Sequence, residues 1–120
     1  MGFSLTQLQL FPKLEQVRIV TWRRLRIFGQ RHPAALSPLR EWFRLTQLAA
    51  WRNFADVKAT FGQTDHAKVA SGQIVCVFDI GGNKFRLVAF VSYAKGKVCI
   101  LRVMTHKEYD RGRQQWKQEL

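Results

Sequence analysis

The sequence predicts an α+β fold: an N-terminal strand, two to three helices packed on one face of an antiparallel sheet, and a short C-terminal helix. Three observations predict it. Apolar residues recur at helical spacing between Thr21 and Thr60. From Gln73 to Met104 they fall into three strand-like runs separated by glycine-containing turns. Thr105 and Glu108 then stand at capping-box spacing, which opens a last helix. The chain has 120 residues, 47% of them hydrophobic, so it can bury one real core, and no linker divides it. Residues 1–16 carry one Lys and one Glu and are interrupted by Pro12, so they read as an N-terminal extension to a single domain over 17–120.

Val17–Val20 is a short β-branched run suited to a first strand. From Thr21 to Arg31, Trp22, Leu25 and Phe28 share one helical face, while Arg23, Arg24, Arg26 and Arg31 fill much of the rest. His32-Pro33 ends this helix. Ser37-Pro38 reads as a cap followed by proline, predicting a second helix to about Ala50 with Leu39, Trp42, Phe43 and Leu45 to Leu48 as its apolar stripe. A shorter helix over Asn53–Thr60 turns Phe54, Val57 and Phe61 inward, and Gly62–Gly72 reads as a polar loop.

The strands are Gln73–Ile80, Asn83–Tyr93 and Lys97–Met104. A two-residue turn at Gly81-Gly82 sets Phe78 opposite Phe85 and Val77 opposite Arg86. With Gly96 in the left-handed position of a three-residue loop, Tyr93 pairs with Lys97 and Val88 with Arg102. Side chains alternate along strands, so this register sorts the sheet into two faces. One face, including Cys76, Phe78, Leu87, Cys99, Leu101 and Val103, is apolar and must lie under the helices. The other is half polar and open, and it carries Asp79, Lys84, Arg86, Arg102 and Met104 together with Val98 and Ile100.

Twenty Lys and Arg against eight Asp and Glu give a formal charge of +12. An excess of that size strains a compact fold by self-repulsion and points to a polyanionic partner. Nucleic acid fits better than membrane, because no stretch approaches the ~20 apolar residues of a span. Cys76 and Cys99 lie in apolar runs without metal-ligand spacing, which suits two buried thiols in a reducing cytoplasm. No secretory signal opens the chain.

His106 and Tyr109 occupy positions 1 and 4 of the last predicted helix and so share a face. Cleaving RNA without a metal needs a base for the ribose 2′-hydroxyl, an acid for the departing 5′-oxygen, and cations for the charge on the phosphorane. At a helix N-terminus the positive dipole disfavours an imidazolium, so His106 suits the base. Tyr109 can donate a proton or stack a base, and Arg86 and Arg102 can clamp phosphate. The catalytic candidates are therefore Arg86, Arg102, His106 and Tyr109. Lys84, Lys107, Arg111, Arg23, Arg24 and Arg26 are candidates for RNA binding.

The segment Phe78-Asp79-Ile80-Gly81-Gly82-Asn83-Lys84-Phe85-Arg86-Leu87 resembles the N-I-G-G-N-K-Y-R-L strand-turn-strand of HigB-type mRNA interferases. Val103 to Asp110 is similar to that family's T-H-x-E-Y-D ending, and Trp51 to Lys58 to its W-x-N-F-A-D-L-K segment. The likeness spans about residues 17–110, with Asp79 where Asn is usual. It implies a RelE-like fold and a toxin that cleaves translated mRNA on the ribosome, without a cofactor. It also implies a cognate helix-turn-helix antitoxin of the HigA type. The alternative on the same scaffold is a non-catalytic inhibitor that binds the ribosome or DNA gyrase. That inhibitor would need the charge but not the His106–Tyr109 pair.

Overall fold

The computed structural model describes residues 18–20 and 22–120. The expectations for 1–16, Val17, Thr21 and the Trp22 side chain lie outside the described residues. Strand β1 (Arg18–Val20) leads into helix α1 (Trp22–Arg31). Leu25 and Phe28 of α1 enter the core while Arg23, Arg24, Arg26 and Arg31 face solvent. His32-Pro33 ends α1 as expected, but Pro33 also opens a 3-10 turn, Pro33–Ala35, that runs straight into α2 (Leu36–Leu48). The second helix therefore starts ahead of Ser37-Pro38, and no side chain caps it. Pro38 falls in its first turn, where the N–H it lacks would have had no intrahelical acceptor. In α3 (Phe54–Thr60), Asn53 is the cap, its Oδ1 accepting from the Asp56 N–H at 3.0 Å.

One sheet joins β1 to β2 (Asp65–Lys68), β3 (Ile74–Ile80), β4 (Phe85–Ser92) and β5 (Lys97–Thr105) in the order β1-β5-β4-β3-β2, with β1 parallel to β5 and the other pairs antiparallel. Strands β3, β4 and β5 follow the predicted runs closely. Strand β2 does not, because it lies inside the span expected to be loop. Its sequence Asp-His-Ala-Lys has no apolar alternation to announce it. As an edge strand it needs only the ladder with β3, and charged side chains there discourage pairing with another chain.

Both hairpins depart from the expected register. The first loop holds four residues, so Ile80 faces Phe85 and Asp79 faces Arg86 directly. That is a shift of two positions, which leaves the side chains of β3 and β4 on their expected faces but takes Asn83 and Lys84, expected in the strand, into the turn. Gly81 and Gly82 both take positive φ, as their turn requires. In the second hairpin Ser92 pairs with Lys97, one residue off, which turns Val98 and Ile100 into the helix-covered core and moves Cys99 to the other face beside Phe90. The expectation that Cys99 lies under the helices is therefore wrong, whereas Cys76 does lie there. A β-bulge then absorbs Leu101: Ala89 pairs with Ile100, but Val88 pairs with Arg102. The extra residue restores the expected register beyond it and keeps Arg102 out of the core.

The helices cover one face of the sheet around an aromatic cluster. Trp42 meets Phe78 edge-on at 5.3 Å, Trp51 stacks on Phe78 at 6.2 Å, and Phe61 meets Phe78 edge-on at 5.4 Å. The second face is not open, which corrects the sequence reading. After α4 (His106–Asp110) and a 3-10 turn (Arg111–Arg113), helix α5 (Trp116–Glu119) folds back over it. Trp116, 3% exposed, seals a second small core with Val69, Val75, Val77, Val88 and Met104. The backbone of Lys117 accepts from the Ala70 N–H at 2.8 Å and ties the chain end to the sheet edge.

Candidate active site

The site is built where β4, the end of β5 and α4 meet. Thr105 caps α4 with a complete capping box: its hydroxyl accepts from the Glu108 N–H at 3.1 Å, and Glu108 accepts from the Thr105 N–H at 2.9 Å. Both bonds follow from the Thr-x-x-Glu spacing, and they fix the direction in which His106 and Tyr109 leave the sheet. The His106 N–H also donates to the Lys84 carbonyl at 2.9 Å, locking the start of α4 onto the β3–β4 turn.

Arg86 projects from β4 onto the second face, but it is 8% exposed instead of standing free. Its Nε lies 3.3 Å from Asp79 Oδ1, one Nη donates to the Phe85 carbonyl at 3.2 Å, and the other donates to Asn83 Oδ1. The guanidinium carbon sits 5.2 Å from the centroid of the Tyr109 ring. Burying a cation is tolerable only when it is paired in this way. Asp79 is thus the direct partner of Arg86, where the expected register made it a diagonal neighbour.

Tyr109 stacks on Trp116 with ring centroids 5.5 Å apart. With its ring engaged by Trp116 and Arg86, its hydroxyl is the group left for chemistry. Burial lifts the phenol above its ordinary range; Arg86 pulls it back, and the carboxylates of Asp65, Asp110 and Asp79 lift it further. The group is therefore a neutral O–H donor at physiological pH. His106 Nε2 lies 3.1 Å from Asp110 Oδ2, one helical turn on, while Nδ1 is enclosed without a hydrogen-bond partner among the described residues.

The four catalytic candidates do not form one cluster. Arg86 and Tyr109 touch, and His106 shares the helix of Tyr109. Arg102 stands diagonally from Arg86 on the same face, as expected, but its guanidinium is bound by Glu119 from α5. The RNA-binding candidates divide as well. Lys84, Lys107 and Arg111 are exposed around α4, whereas Arg23, Arg24 and Arg26 lie on α1, beyond the opposite face of the sheet. Sequence reasoning missed Asn83, Asp110, Trp116 and Glu119. Asp110 was within reach, since it stands four residues after His106, the spacing of neighbours on a helix.

The family model of the HigB toxin, the RelE-like toxic component of a toxin-antitoxin system, matches residues 35–112. The chain belongs to the HigB toxin family. It is also 30% identical over 94 residues to the mRNA interferase toxin HigB of Escherichia coli (strain K12), covering 78% of this chain and 88% of that relative. The mRNA interferases HigB of Escherichia coli O157:H7 and of Shigella flexneri match to the same extent. As a HigB-family toxin the chain has a RelE-like α+β fold, and membership in a toxin-antitoxin system implies an antitoxin partner. The family match takes in Arg86, Arg102, His106 and Tyr109 but stops short of both α1 and Trp116. Among the described residues no helix of this toxin is long and apolar enough to cross a membrane.

Proposed function

We propose that this toxin is an endoribonuclease that cuts translated messenger RNA on the ribosome by attack of a ribose 2′-hydroxyl on the neighbouring phosphate. The observation that carries the reading is the pairing of the Arg86 guanidinium with the Tyr109 ring, one helical turn from His106. It offers a fixed cation against a neutral proton donor, with an imidazole three residues earlier on the same helix, and those three groups are the set that phosphodiester transfer demands. The three relatives described above are named mRNA interferases, which favours the same chemistry.

In this reading His106 takes the proton of the 2′-hydroxyl. Its Nδ1 is enclosed, so Nε2 meets the substrate. When the ribose hydroxyl displaces the exposed Asp110 carboxylate, to which Nε2–H donates in the free toxin, the neutral imidazole carries its proton on Nδ1 and the Nε2 lone pair faces the hydroxyl. Arg86 holds the negative charge of the phosphorane, kept in place by Asp79, Asn83 and the Phe85 carbonyl. Tyr109 gives its proton to the departing 5′-oxygen. Arg102 joins the phosphate only when it exchanges Glu119 for RNA. Lys84, Lys107 and Arg111 neutralise flanking phosphates, and Arg23, Arg24 and Arg26 on the far side face ribosomal RNA instead of the scissile strand. The neutralising partner is a helix-turn-helix antitoxin of the HigA type, and the chemistry calls for no cofactor.

The test is induction of the toxin in growing cells, with primer extension along a translated message. Discrete cuts inside the reading frame that vanish in the Tyr109→Phe toxin support the reading. Growth arrest with intact message would put a non-catalytic inhibitor in its place.

A further inference from the structure

A groove of about 550 Å³ opens beside Arg86, between the loop that follows α3 and the β3–β4 turn. Phe61, Gly62, Gln63 and Thr64 form one wall, and Asp79, Gly82 and Asn83 form the other. Its volume lies in the range of small-ligand sites. Two of its members, Asp79 and Asn83, are also the partners that hold Arg86. A nucleotide whose phosphate lies on Arg86 therefore has its neighbouring base at the mouth of this groove.

The walls are stiff. Phe61 is locked edge-on against Phe78 at 5.4 Å and Trp51 at 6.1 Å, yet it remains partly exposed toward the groove. The buried Thr64 hydroxyl donates to the Phe61 carbonyl at 2.7 Å and pins the loop. Fixed aromatic rings beside a cationic site are how proteins hold single-stranded bases.

The polar groups present a definite pattern. Asp79 is an acceptor, and a carboxylate has lone pairs enough to serve Arg86 and a ligand together. Asn83 spends its carbonyl oxygen on Arg86, so its NH2 is left to donate. Every base can set one donor against the carboxylate and one acceptor against the amide, but guanine alone adds a second donor: N1–H and N2–H both reach the carboxylate while O6 accepts from the amide. Adenine and cytosine each give the carboxylate one exocyclic donor and accept from the amide at a ring nitrogen, one bond fewer than guanine. Uracil brings only N3–H between two acceptors.

We propose that this groove reads a guanine in the RNA next to the scissile phosphate, with Phe61 as platform and Asp79 and Asn83 as readers. The proposal rests on the RNA-cleaving reading for its substrate class, but its test need not involve cleavage. Backbone amide signals of the purified toxin are followed by NMR during titration with guanosine 3′-phosphate and, separately, adenosine 3′-phosphate. Guanosine is expected to move the amides of Gly62, Gln63, Thr64, Gly82 and Asn83 and to bind roughly 10- to 100-fold more tightly, the worth of a good bidentate base contact. Asp79→Asn should remove most of that ratio.

Gly62→Leu should abolish binding of both nucleotides. Gly62 lines the groove and a β-carbon there meets nothing within 4 Å, so a larger side chain at its wall is accommodated without disturbing the core. Equal affinities, or shifts confined to other surfaces, would overturn the proposal. If guanosine binds in the groove but the toxin cuts no message, the groove stands and the RNA-cleavage reading falls. If the toxin cuts message with no preference for guanine beside the cut, the cleavage reading stands and the groove proposal falls.

Discussion

His106 and Arg86 play comparable parts in the proposed chemistry but sit in different surroundings, and the difference sets what each substitution should do. The His106 side chain is 45% exposed, and the helix it begins is capped by Thr105. His106→Ala should cost roughly 10²–10⁴-fold in cleavage, the usual worth of acid-base help. Its stability should change by no more than about 0.5 kcal/mol, which toxicity assays paired with thermal melting will separate. Arg86→Ala should lose both. Removing the guanidinium leaves the Asp79 carboxylate and the Asn83 amide without their shared partner, at a cost of about 1–3 kcal/mol. Arg86 therefore needs Arg86→Lys as a companion variant, since Lys keeps the charge but loses the fork of donors. Tyr109→Phe keeps the stack on Trp116 and removes only the hydroxyl, so cleavage should fall while the melting temperature holds.

The elements differ in what the sequence made legible and what it hid. The meander was readable because β3, β4 and β5 alternate strongly, and α4 because its capping box is local. The β2 strand was hidden by its polarity, since a four-residue edge strand needs a partner more than a pattern. The one-residue shift of the second hairpin and the bulge at Leu101 that reverses it were hidden because a single residue leaves no mark in composition, yet the shift turns Cys99 away from the helices, while Cys76 on β3 faces them. A thiol-reactive probe checks this at once: Cys99 should be labelled well before Cys76. Cys76 is 3% exposed, and burial pushes its thiol up to about 11, with Tyr93 beside it pushed up to about 12.

Both groups are neutral in the fold at pH values where the unfolded chain would ionise them. Their stabilisation is therefore whole below about pH 9, where an unfolded thiol begins to ionise, and is lost as pH rises toward about 11 and 12. Melting temperature should fall over that window in the wild-type toxin and fall less in Cys76→Ala. Helix α5 was the other hidden element. A tryptophan four residues from the chain end carries no periodic signal, although it closes the second core. Trp116→Ala should lower unfolding free energy by roughly 3–5 kcal/mol in denaturant titration.

At the scale of the whole molecule, charge and topology describe a toxin with two cationic sides. The +12 excess is divided by the sheet: α1 carries Arg23, Arg24 and Arg26 on one side, and the Arg86 site lies on the other. Ribosome binding should therefore weaken steeply with salt through lost counterion release. Charge reversal on α1 should weaken it further while leaving the cut positions on bound message unchanged. The central claim, that the Arg86–Tyr109–His106 set transfers a phosphodiester to the adjoining 2′-hydroxyl, is tested most directly by the ends it leaves. Purified toxin and translating ribosomes should yield upstream fragments ending in a 2′,3′-cyclic phosphate or 3′-phosphate and downstream fragments beginning with a 5′-hydroxyl. Fragments bearing 3′-hydroxyl and 5′-phosphate ends would contradict it.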